Sequence, residues 1–173
     1  MLLNPKLFVL PQWEIKQNGV QNLIYGSLTK KGLVTMVNFI NKYQKEDIRG
    51  LDLGCGDGEL IYNLQNAIPN SIWEGVEISE HRVSNQIRDV TIWQGDFLNE
   101  NIRPYNILHA DNLCLDDDIA EKLERKIAQE FTGMYITYRK PECIEFLKTA
   151  IHVDTVITET TWTNHPIHIY RVV

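Results

Sequence analysis

Apolar and polar residues alternate along this chain in two rhythms. From 30 to 43 the apolar positions Leu33, Met36, Val37 and Ile40 share one face of a 3.6-residue period, and Thr29 stands where a helix N-cap belongs. Beyond it, short apolar runs rich in β-branched residues alternate with longer amphipathic stretches. The pattern predicts strands at 48–53, 72–77, 90–94, 106–110, 132–138, 153–158 and 166–172. It predicts further helices at 57–68, 80–88, 117–130 and 141–151. Regular β-α alternation implies an α/β fold with a mostly parallel, doubly wound sheet. No helical pattern separates the last two strands, so they are expected to form an antiparallel hairpin joined by 159–165. Residues 1–24 show no clear period and read as an irregular N-terminal arm of a single domain spanning 1–173.

The first strand runs into Leu51-Asp52-Leu53-Gly54-Cys55-Gly56-Asp57-Gly58. A strand, a glycine loop and a helix N-terminus are how α/β proteins cradle a nucleotide-like ligand. The G-x-G-x-G spacing is neither that of dinucleotide binders nor that of phosphate loops, and no lysine follows. Asp52 and Asp57 suit a cationic ligand better than a pyrophosphate. S-adenosylmethionine, with its ammonium, sulfonium and ribose diol, is such a ligand, and S-adenosylhomocysteine would be its product. Three acidic residues follow at strand ends. Asp52 is placed to hold the loop or, through water, the ligand ammonium. Glu77 is placed to accept from both ribose hydroxyls. Asp96 is placed to accept from the adenine amine, with Phe97 against the ring. Five β-α units ending in a hairpin resemble the seven-stranded, Rossmann-like (class I) architecture of S-adenosylmethionine-dependent methyltransferases.

Net charge is −6 at a pI near 5.3, which argues against tight non-specific nucleic-acid binding. Asp116-Asp117-Asp118 reads as a solvated helix start. The three cysteines, Cys55, Cys114 and Cys143, lack C-x-x-C spacing and read as reduced thiols. The five histidines form no metal set, and His109 reads as a core histidine of the fourth strand. The apolar start is broken by Asn4, Pro5 and Lys6, so neither a signal sequence nor a membrane span is expected. The chain is expected to be soluble and intracellular.

More specific segments lie around the glycine loop: Tyr25-Gly26-Ser27-Leu28, Gly95-Asp96-Phe97-Leu98, Asp111-Asn112-Leu113-Cys114-Leu115 and Thr161-Trp162-Thr163-Asn164-His165-Pro166. This ordered set resembles the Dot-one (disruptor of telomeric silencing) family of histone lysine methyltransferases, over about residues 25–172. The resemblance implies a basic protein substrate, a histone or nucleosome. It implies that Tyr25 and Leu28 belong to a loop closing over the methionine end of the cofactor. Asp52, Gly54, Gly56, Glu77, Asp96 and Phe97 would contact the cofactor. Asp111 would replace the active-site asparagine, with Asn112 at the second one, and Trp162 would line the lysine channel. Ser27 departs from the family's glutamate, Leu113 and Leu115 from its aromatics, and the channel tyrosine falls at Ile169 or Tyr170. A one-residue slip would make Asn112 the functional residue in place of Asp111. The compact form, without the long N-terminal domain and basic tail, is similar to versions in large DNA viruses or microbes, acting in the nucleus or cytoplasm of a host. The remaining readings are a methyltransferase for RNA, DNA or a small molecule, and a non-catalytic module binding the cofactor or a protein partner. The absence of proline after Asp111-Asn112 separates this chain from the nucleic-acid amino-methylating enzymes.

Overall fold

A computed structural model describes residues 4–173. Helix α1 (Gln12–Asn18) and helix α2 (Lys30–Tyr43) precede strand β1 (Ile48–Leu53). There follow α3 (Glu59–Ala67), β2 (Ser71–Glu77), α4 (Glu80–Ser84), β3 (Thr91–Gln94), β4 (Ile107–Ala110) and α5 (Asp117–Glu130). The chain ends with β5 (Gly133–Thr137), α6 (Ile144–Thr149), β6 (Ala150–Glu159) and β7 (Asn164–Val172). The seven strands lie in the order β3-β2-β1-β4-β5-β7-β6. All neighbouring pairs are parallel except β5 with β7 and β7 with β6. The expected parallel sheet with a C-terminal antiparallel hairpin is therefore present.

Each face of the sheet is covered. Met36, Phe39 and Ile40 of α2 and Ile61 and Leu64 of α3 pack with Ile107, Ile136 and Ile169 on one side. On the other, Leu123 and Ile127 of α5 and Phe146 of α6 pack with Leu51, Leu108 and Tyr135. Local signals set the helix ends. Thr29 Oγ1 accepts from Gly32 N at 3.1 Å and caps α2. Asp117 and Asp118 fill the first turn of α5, where the helix dipole favours negative charge.

Several boundaries differ from those expected. Helix α4 stops at Ser84, short of 88. Strand β6 begins at Ala150, because β7 runs far enough to pair Val172 with Ala150 and draws the end of the predicted helix into the sheet. Of the arm expected at 1–24, residues 1–3 lie outside the described residues, and the rest is not irregular: it holds α1 between two short 3-10 turns, Pro5–Phe8 and Gln21–Leu23. A seven-residue helix has little stability of its own, and tertiary bonds fix this one. Glu14, which is buried, accepts from Ser79 Oγ at 2.6 Å and from His81 N at 3.0 Å. Glu14→Ala removes both bonds and strands a buried hydroxyl. We expect a loss of about 1–3 kcal/mol in denaturant unfolding, with protease cutting first between residues 4 and 24.

Candidate active site

The carboxyl ends of β1, β2 and β4 meet under the N-terminal segment. Gly54 (φ 88°) and Gly56 (φ 59°) take the left-handed conformation, which lets the loop turn back over the strand ends. Gly54 N and Cys55 N both donate to Val76 O, which ties the loop to β2. Glu77 closes β2 beneath the loop. Its Oε2 accepts from Gly56 N at 2.9 Å, and its Oε1 accepts from Ser79 N at 3.0 Å. Arg82 Nη1 stands 3.5 Å from Glu77 Oε1, with both side chains buried.

The resemblance anticipated Tyr25 over this cradle; the part that sequence reasoning did not supply is Arg82 and the segment before Tyr25. Arg82 donates to Leu7 O at 3.2 Å and also to Leu23 O, and its guanidinium lies 5.2 Å from the Tyr25 ring centre. Tyr25 itself rests on the glycine loop, where a side chain at Gly56 would run into its ring. Burial, with the charges of Asp57 and Asp52, raises the Tyr25 phenol well above its ordinary range, so it stays protonated. A cavity of about 50 Å³ remains between Tyr25, Gly54, Glu77, Arg82, Phe97 and Asp111. Pockets for drug-sized ligands are roughly 300–1,000 Å³, so Tyr25 and Arg82 leave less room at this point than such a ligand fills.

The other expected residues separate into two groups. Asp111 is central, lining the cavity under Tyr25, a second beside His109 and a third beside Trp162. Burial pushes its carboxyl above the usual carboxylate range, against the opposing charge of His109. Trp162, half-exposed, packs against Gly26, where a Cβ would come within 2.6 Å of the indole Nε1 and 3.4 Å of Asp111 Oδ2. Phe8, Ile24, Tyr25, Asp111, Cys114, Thr161 and Trp162 enclose about 300 Å³ there.

Asp96 caps a 3-10 turn through Leu98 N at 2.9 Å and lines an outer cleft of about 280 Å³ with Trp13, Ile78 and Gln94. Phe97 faces the inner cavity, not that cleft. Leu28 is buried in the core and bridges to Thr160. Asn112 is placed away from all these cavities. Its Oδ1 accepts from Thr137 Oγ1, Tyr138 N and Arg139 N at 2.8–3.2 Å, which spends the amide on joining β4 to β5. At this pair of positions it is therefore Asp111, not Asn112, that opens on the site. Of the two positions offered for the channel tyrosine, Ile169 is in the core under α2, and Tyr170 packs on Phe146 on the opposite face. Arg82 and Trp13 were missed because neither belongs to a motif, and only the tertiary path of residues 4–25 brings that segment to the site.

No family profile and no curated protein sequence matches the chain. Solved structures do. Magnesium protoporphyrin IX methyltransferase from Synechocystis, with bound S-adenosylmethionine, aligns at a TM-score of 0.63 and 16% identity, over 82% of this chain and 78% of that one. An S-adenosylmethionine-dependent methyltransferase from Clostridium acetobutylicum aligns at 0.59 and 15%, over 83% and 91%. TrmN from Thermus thermophilus aligns at 0.59 and 10%, over 82% and 48%. At such identities the likeness is one of fold, and it does not single out the Dot-one family. The chain has the seven-stranded, Rossmann-like class I fold of S-adenosylmethionine-dependent methyltransferases.

Proposed function

We propose that the chain is an S-adenosylmethionine-dependent methyltransferase acting on an amine of the lysine type, with a histone lysine as the acceptor that the sequence resemblance favours. The observation that carries the amine reading is the pocket of about 300 Å³, walled by Phe8, Ile24, Tyr25 and Trp162, that meets the cofactor cradle at Asp111. The residues of the cradle fit this cofactor. Gly54 and Gly56 bring bare backbone to it, and Glu77 keeps lone pairs free for ribose hydroxyls after accepting its two backbone N–H groups. Asp111 supplies a carboxylate for the amino-acid end.

When bound, the cofactor supplies an electrophilic methyl group on sulfur. The chain's own part is to position the acceptor and strip it of water. Lysine's ammonium has a reference pKa near 10.4, and apolar surroundings lower it. The walls of Phe8, Ile24 and Trp162 push toward the neutral amine that the reaction needs, against the pull of the Asp111 carboxylate toward the ammonium. Asp111 accepts a hydrogen bond from the amine and orients it. The net charge of −6 favours a basic protein partner.

Labelled methyl from S-adenosylmethionine should be offered to nucleosomes, free core histones, other basic proteins, RNA and a metabolite extract. Label on histone lysine is the expected outcome. Label confined to RNA or to small molecules would overturn the acceptor and leave the cofactor reading standing.

Because Tyr25 and Arg82 close the cradle, association with the cofactor should be gated. Stopped-flow tryptophan fluorescence is expected to show an observed rate that levels off at high cofactor concentration. Tyr25→Ala should raise the plateau. A rate that rises linearly to diffusion-like values would contradict the closed cradle.

A further inference from the structure

Beneath the cradle, on the α2 and α3 side of the sheet, the strands carry a short row of polar groups. Parallel pairing sets Asp52 of β1 beside His109 of β4. His109 Nδ1 donates to Asp52 Oδ1 at 2.7 Å. Both residues are only 3% exposed. The other ring nitrogen, Nε2, has no partner among the described residues. A buried polar atom left unpaired costs about 1–3 kcal/mol. Such a cost persists where a ligand supplies the partner.

The place of His109 limits what that ligand group is. It lines a cavity of about 30 Å³ with Tyr25, Gly54, Asp111 and Tyr138, against the glycine loop. It does not line the pocket of Phe8 and Trp162. Nε2 thus belongs to the cofactor side of the site. We propose that His109 binds the cofactor directly, its Nε2–H donating to the carboxylate of the amino-acid end, while Asp52 holds the ring in that orientation. This rests on the cofactor reading above. The amino-acid end of the cofactor is a zwitterion and needs one donor and one acceptor. His109 is the donor, and Asp111 in the same cavity is the acceptor for the ammonium. Asp52 therefore acts through His109.

Protonation matters because an imidazolium donates from both nitrogens, one to Asp52 and one to the ligand. The groups facing the ring are Asp52 from β1, Asp111 after β4, and Tyr138 after β5, whose ring meets it edge-on at 5.6 Å. Tyr25 and Cys55 are the other titratable groups on the cavity wall. Burial alone would lower the imidazole pKa. The charge and hydrogen bond of Asp52, helped by Asp111, outweigh it and leave the pKa above the ordinary 6.5. The charged form is thus held below that raised pKa and lost as the pH climbs through it.

The test compares S-adenosylhomocysteine with 5′-methylthioadenosine, which lacks the amino-acid end. Both are titrated calorimetrically into wild type, His109→Phe and His109→Gln, each checked for native circular dichroism. His109→Phe should weaken S-adenosylhomocysteine about 10- to 100-fold, the range for a hydrogen bond to a charged group, and leave 5′-methylthioadenosine unchanged. His109→Gln, which keeps a donor, should restore part of the loss. Wild-type affinity for S-adenosylhomocysteine should fall as pH rises from 6 to 9, and His109→Phe should remove the part of this fall that belongs to the ring. Equal losses for both ligands would make the role merely structural. Unchanged affinity with lowered turnover would move His109 to the acceptor. Either result overturns the proposal. Failure of both ligands to bind wild type would sink the cofactor reading, and this proposal with it.

Discussion

Glu77→Ala is expected to abolish cofactor binding and to cost the fold about 3–5 kcal/mol. The size follows from what the carboxylate holds. It ties Gly56 N and Ser79 N at 2.9 and 3.0 Å, and it is the acidic partner of Arg82 across 3.5 Å. The side chains of Glu77 and Arg82 are 3% and 4% exposed, so removing the acid leaves a buried guanidinium without its counter-charge. Breaking one side of a buried pair is what carries costs of about 3–5 kcal/mol. For a domain of this size that corresponds to a melting-point drop on the order of 10 °C. Arg82 also donates to Leu7 O and Leu23 O, so the N-terminal cover should loosen with it. Glu77→Gln separates the two effects. It keeps the volume and an acceptor for one of the two backbone N–H groups and loses the charge. Its melting point should lie well above that of Glu77→Ala, while S-adenosylhomocysteine affinity still falls at least about tenfold. Scanning calorimetry and ligand titration on the three proteins check this. Wild-type affinity in Glu77→Ala would remove Glu77 from the site.

The second large effect is on turnover alone. Trp162→Ala should cut methyl transfer to a lysine substrate by about 10²-fold, the scale of losing orientation at the reacting centre, with S-adenosylhomocysteine affinity unchanged. Trp162 is 49% exposed and lines the pocket of Phe8 and Ile24, not the cavities around the glycine loop. Its loss therefore costs little stability and spares the cradle. Single-turnover kinetics with saturating cofactor read the step directly. Asp111→Asn extends the test. If the carboxylate orients the amine, transfer falls. If transfer rises, the aspartate marks decay from a more active site, as a cofactor-binding module would show.

Much of this was legible in the residues. The starts of α2 and α5 match the expected 30 and 117, because Thr29 and the Asp116–Asp118 run are local signals that work within one turn. The glycine loop was legible for the same reason. Positive φ at Gly54, Gly56 and Gly58 is a property of those residues themselves. The N-terminal cover was not, because its fold is held from outside: Glu14 by Ser79 and His81, Leu7 and Leu23 by Arg82. His109 reads as core from its strand, and it is buried there. Its bond to Asp52 spans 57 residues and exists only because β1 and β4 pair in one register. Asn112 shows the converse. A neighbour of Asp111 in sequence, just past the end of β4, it is held to the end of β5, where Thr137 Oγ1, Tyr138 N and Arg139 N all donate to its Oδ1.

Calorimetric titration of S-adenosylhomocysteine into the wild-type chain and Glu77→Ala tests the central claim most directly. One site per chain in the wild type, lost in the folded variant at reduced temperature, is the expected result. No heat of binding to a well-folded wild type at any pH between 6 and 9 would contradict it.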